Sequence, residues 1–112
     1  MLVSLGKIVI ATPGVKLRAT NNQTDPTKGF LAHSVLIEAW PSNTGKIYIC
    51  DRSTANTTTG VGLLAILGIP TANFIPTFTD TISYASNGCN IEQIWIDADN
   101  PNDGVLVSVE EA

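Results

Sequence analysis

The 112 residues carry a formal charge of −4, from six Lys/Arg and ten Asp/Glu, and are 44% hydrophobic and 14% charged. That length is the usual size of one domain, and a chain so apolar and so weakly charged is not disordered. The basic residues are scattered and the pI is near 4.6, which argues against nucleic acid as a partner.

The first segment, Leu5 to Ala11, is a weak strand candidate. Val15, Leu17 and Ala19 then alternate with Lys16, Arg18 and Thr20, the pattern of a half-buried strand with a basic outer face. Val35, Ile37 and Ala39 alternate with Leu36, Glu38 and Trp40. In KIYICDR (Lys46 to Arg52), Ile47 and Ile49 share one face while Tyr48 and Cys50 share the other. The stretch from Gly60 to Phe78 does not alternate and is broken by three Gly and two Pro. Its LLAILGIP portion has room for one helical turn at most. Two expectations stand for it: a connection that crosses between sheets and is buried as it goes, or an apolar surface loop covered by another subunit. Thr79 to Ala85 is a second weak strand. Ile91 to Asp97 sets Ile94 and Ile96 against Gln93 and Trp95, and Val105, Val107 and Val109 alternate with Leu106, Ser108 and Glu110.

Turn clusters separate these runs at 12–14, 21–29, 41–45, 53–60, 87–88 and 97–104. Short strands at roughly ten-residue spacing between Gly/Asn/Pro turns predict an all-β fold, a single antiparallel sandwich or barrel over residues 1–112. The most apolar stretch, 61–70, holds two glycines and falls far short of a membrane span, so no membrane contact is expected. The opening MLVSLGKIVI lacks the basic lead and small-residue cleavage motif of a secretory signal.

The residues that carry chemistry are few. His33, beside Ser34, is the only histidine, and nothing resembles a nucleophile elbow or another catalytic motif, so no enzyme activity is expected. Cys50 and Cys89 are not spaced for zinc. They are read as reduced and buried, or bridged if the fold makes them neighbours. The loop DADNPNDG offers Asp97, Asp99 and Asp103 as hard oxygen ligands for Ca²⁺, but its spacing fails that of an EF-hand. A tight turn accounts for the same residues. No phosphate cradle is present and no cofactor is expected. Trp40 and Trp95 serve either as exposed stacking residues or as part of a second core, a choice the alternation leaves open. With the Thr/Asn loops they would suit a glycan- or receptor-binding module.

Charge is unevenly divided along the chain. All six basic residues lie in the first 52 positions, beside Asp25, Glu38 and Asp51, for a net +3, and the remaining 60 residues hold seven acids and no base. Either the halves pair across a sheet and the asymmetry cancels, or the subunit has a positive and a negative side. On the second reading Lys7, Lys16 and Arg18 mark the positive side, and Ile66, Leu67, Ile69, Phe74 and Ile75 of the apolar stretch form an oligomer interface.

From Val35 to the C-terminus the chain resembles the small all-β structural proteins of tailed-bacteriophage virions, the capsid decoration (cement) proteins. The likeness is carried by the strand NTGKIYI (Asn43 to Ile49), the GVGL stretch (Gly60 to Leu63), the IEQIWIDA strand (Ile91 to Ala98) and DGVLVSV (Asp103 to Val109). The central stretch departs from the pattern by lacking its Pro-Gly turn. The resemblance implies a jelly roll, a homotrimer and attachment to the major capsid protein on the outside of the head after assembly in the host cytoplasm. Lys7, Lys16 and Arg18 would then face the capsid. The same pattern recurs in tail, neck and fibre-anchoring components.

Overall fold

A computed structural model describes residues 2–22, 31–81, 89–90 and 93–111. The alternating runs become strands β1 (Leu2–Ile10), β2 (Leu17–Arg18), β3 (Leu31–Ala39), β4 (Ile47–Cys50), β5 (Leu63–Leu67), β6 (Thr77–Thr81), β7 (Cys89–Asn90), β8 (Trp95–Ala98) and β9 (Asp103–Glu111). They form two antiparallel sheets. The first has the order β1-β9-β3-β6, with β7 pairing to the start of β3, and the second has the order β2-β8-β4-β5.

The pairing has a simple logic. With two-residue β7 set aside, the first strand pairs with the last, β2 with β8, β3 with β6 and β4 with β5. This is one long antiparallel ribbon, turned back at β4–β5 and rolled so that β9–β3 and β8–β4 contacts complete the two sheets. Such a double-sheet roll of eight strands is a jelly-roll sandwich, and the all-β expectation is met.

The core lies between the sheets and is made of the inward half of each alternation. Ile8 and Ile10, Val35, Ile37 and Ala39, and Val105, Val107 and Val109 come from the first sheet. Ile47 and Ile49, Leu67, Ile96 and Ala98 face them from the second, joined by Ile94 just before β8. Most are β-branched, which suits a pleated surface. At roughly 25 cal/mol per Å² of apolar surface withdrawn from water, each buried Ile or Val stabilises the fold by about 2 kcal/mol.

Bulges in β1 and β3 shift the alternation of the first sheet. In β1 the register slips between Ser4 and Gly6, where Gly6 has φ +88°. The extra residue reverses the parity, so Leu5 and Ile8 both point inward. A second slip in β3 falls between Ala32 and Ser34, at the exposed His33.

The central apolar stretch corrects one expectation. Its LLAIL portion forms no helical turn; it is strand β5, in register with Ile47, Tyr48 and Ile49 of β4. Residues 68–76 then cross to the first sheet, where the Pro76 carbonyl accepts from Ala39 N–H. Pro76 is buried, while Ile69 and Phe74 are exposed. The buried crossing therefore holds for a part of this stretch, and the rest is apolar surface.

Candidate interaction surface

Strand β5 ends the second sheet, so one side of its backbone has no neighbouring strand among the described residues. Period-two alternation turns Leu67 into the core and sends Leu64 and Ile66 outward, at 47% and 50% exposure. The apolar character continues on both sides, with Val61 62% and Ile69 53% exposed, and Phe74 66%. Phe74 is held on a closed turn, since Thr71 N–H donates to the Phe74 carbonyl (2.9 Å) and Phe74 N–H donates back to Thr71 (3.3 Å). A backbone held in this way loses less entropy when the side chain it carries is covered.

Among the five residues expected at an interface, Ile66, Ile69 and Phe74 are exposed and Ile75 is half-buried. Leu67 is a correction. It is 3% exposed and belongs to the core, because it stands opposite Ile47 on the inner face. Leu64 is the residue that the sequence reading missed. With apolar residues on both faces, LLAIL gives no alternation that would single it out.

A second apolar feature lies on the outer face of the first sheet. Trp40, Pro41, Ile75 and Leu106 line a pocket of about 280 Å³, with Glu38 and Ser42 as its polar members. Lys7 Nζ stands 4.1 Å from the centroid of the Trp40 ring, and Arg18 Cζ stands 4.9 Å from that of Trp95. Each tryptophan is half-buried under a cation, an arrangement worth about 0.5–1 kcal/mol at exposed sites.

The three basic residues expected on one face do not share it. Lys7 leaves β1 on the side opposite buried Ile8, outside the first sheet, and Arg18 leaves β2 outside the second. The side chain of Lys16 is only 9% exposed and pairs with Asp97 at 3.7 Å. The ribbon topology sets strands of the basic half against strands of the acidic half, β1 on β9 and β2 on β8. Charge separated along the chain is thereby interleaved in space.

The acidic loop is a set of staples. Asp97 accepts from Gly14 N–H (2.9 Å) and its own neighbour Ala98 N–H (2.8 Å), which pins the β1–β2 connection over the second sheet. Asp99 accepts from the Tyr48 hydroxyl at 2.8 Å. Buried Asp103 accepts from Thr44 N–H (3.0 Å) and Gly45 N–H (2.8 Å). Asn43 does the same work from the other side, accepting from Gly104 N–H and donating to its carbonyl, both at 2.8 Å. The loop residues expected as cation ligands thus serve separate donors. Among the described residues no group of three or more His, Cys, Asp or Glu side chains could hold a metal ion.

Cys50 is free and fully buried, and desolvation pushes its thiol above the ordinary value. It lies in the second sheet and Cys89 in the first. No protein-family model, no curated protein and no solved structure matches the chain.

Proposed function

We propose that this chain is a structural protein of a tailed-phage virion, a non-enzymatic decoration protein that holds to the major capsid protein on the outside of the head. The observation that carries the reading is the apolar flank of Leu64, Ile66, Ile69 and Phe74, left facing water on ordered backbone. Exposed patches of this kind mark contact surfaces. The double-sheet topology and the likeness from Val35 onward support the choice of partner, and neither alone assigns a function. In such a role the protein works by mass action. It binds the assembled lattice and not the dissociated subunits, which shifts the equilibrium towards the lattice.

The test compares head shells with and without the protein under heat and osmotic shock. Added protein is expected to decorate shells in hundreds of copies and raise their disruption temperature, and Phe74→Ser combined with Ile69→Ser should abolish both effects. Shells that are equally robust without it, or a dozen copies or fewer per particle, would overturn the cement role in favour of a tail or neck position. The Trp40 pocket favours a second reading, a ligand-binding module. A glycan array separates the two, with specific hits abolished by Trp40→Ala supporting the module.

A further inference from the structure

The exposed apolar positions around β5 have a symmetry of their own. Leu64 and Ile66 lie one residue either side of Ala65, while Val61 and Ile69 lie four residues either side of it, and all four are 47–62% exposed. In an antiparallel pair about a two-fold axis residue i meets j while j meets i, so about Ala65 each of these apolar positions is matched with another apolar one. An unrelated partner imposes no such symmetry.

We infer that β5 pairs with β5 of a second copy, antiparallel, about a two-fold axis at Ala65. Leu64 of one chain then lies opposite Ile66 of the other, and Val61 falls beside Ile69. The two second sheets become one continuous sheet of eight strands. Backbone groups along the free side of β5 acquire partners, as in strand addition generally. Antiparallel pairing in this register keeps Leu64 and Ile66 of both copies on the outer face. A slip of one residue would turn them towards the partner's core side.

The segment carries no charge against this pairing. Edge strands that stay single commonly carry Lys, Pro or an inward charge, and no charged residue or Pro occurs from Val61 to Ile69. The bulge that places both Leu63 and Leu64 against Cys50 lies at one end of the strand, and Ala65 to Leu67 remain a regular ladder.

Area sets the strength. The four side chains expose roughly 350 Å² per copy, within the range that marks a functional patch. Side by side on the outer face, the paired side chains of two copies cover only part of that area, to which the strand edges add. The total lies below the roughly 1,200 Å² at which stable specific interfaces begin and fits a weak, concentration-dependent dimer.

The inference rests on reading this flank as a contact surface, but not on the shell being the partner. Sedimentation equilibrium of the full chain from 1 to 200 μM should give a mass rising to twice 11.8 kDa, and Ile66→Lys should remain monomeric with an unchanged circular dichroism spectrum. Mixing Leu64→Cys with Ile66→Cys chains under mild oxidation should yield the mixed cross-link at least tenfold faster than either like-with-like link, mapped by mass spectrometry. A monomer throughout, a trimer, an Ile66→Lys variant that still dimerises, or like-with-like links forming as fast would each overturn the two-fold pairing. An Ile66→Lys monomer that still decorates shells would leave the shell reading standing, while a dimer that binds no shell would leave only the pairing.

Discussion

At the scale of single residues, Tyr48 offers a titration that reads the loop directly. Its hydroxyl donates to Asp99, and that hydrogen bond, with burial and the charges of Asp99 and Asp97 adding in the same sense, holds its pKa above 10.0. A group whose folded value is raised contributes stability that is fully present below the unfolded value and disappears as pH rises through the folded one. The contribution therefore holds up to about pH 10 and is lost above it. Absorbance at 295 nm, with Tyr48→Phe as the difference that removes Tyr84, should place this ionisation above the ordinary tyrosine range. Asp99→Asn should bring it down. A Tyr48 that titrates identically in both proteins would mean the hydrogen bond does not form in solution.

The same scale shows what the sequence could and could not disclose. That DADNPNDG is a turn was legible, because Asp, Asn, Pro and Gly each suit tight backbone; Asn102, at φ 68°, occupies the left-handed region that Asn tolerates. Which donors its carboxylates would meet was not legible. Gly14 is 83 residues from Asp97, and Thr44 is 59 from Asp103. Only the fold brings them within hydrogen-bonding distance.

At the scale of elements, period-two alternation located β3 from Val35 onward, β4, β8 and β9, because there the inward and outward sets never exchange. Where a bulge exchanges them, the signal fails. The strand at Leu5 to Ala11 read as weak since Leu5 and Ile8, on opposite parities, both face the core across the Gly6 bulge. The strand LLAIL was missed since an edge strand with apolar residues on both faces has no alternation to see. Among the described glycines the closest approach is at Gly104, opposite Val9, where a Cβ would run into the backbone carbonyl of Ile8. The Gly104 backbone also bonds Asn43 on both sides and accepts from Trp40 N–H, so it has no room to retreat. Gly104→Ala should therefore cost about 3 kcal/mol, at the upper end of the usual cost of overpacking. The readout is the urea midpoint at unchanged m-value. A loss below about 0.5 kcal/mol would show that β1 can yield.

At the scale of the whole molecule, the rolled ribbon fixes which pairings are expensive to close. Ile47 meets Leu67 across 20 residues, whereas Ile8 meets Val105 across 97. Loop-closure entropy grows as (3/2)RT ln n, so the outer pairing costs about 1.4 kcal/mol more to close than the inner one. Closure should therefore proceed from the β4–β5 hairpin outward, with β1 joining β9 last. The roll as a whole is dominated by long-range contacts, and topologies of that kind fold in milliseconds to seconds. Conservative truncations at the two ends of this sequence separate the alternatives. Ile49→Val, in the inner hairpin, should slow folding with a φ-value above about 0.5, whereas Val107→Ala, on the outer strand β9, should act chiefly on unfolding with a φ-value below about 0.3. Both side chains are fully buried, so each truncation costs enough stability for its φ-value to be measured. A chevron series giving equal φ-values at the two positions would mean that the sheets condense together, and the inside-out order would fail.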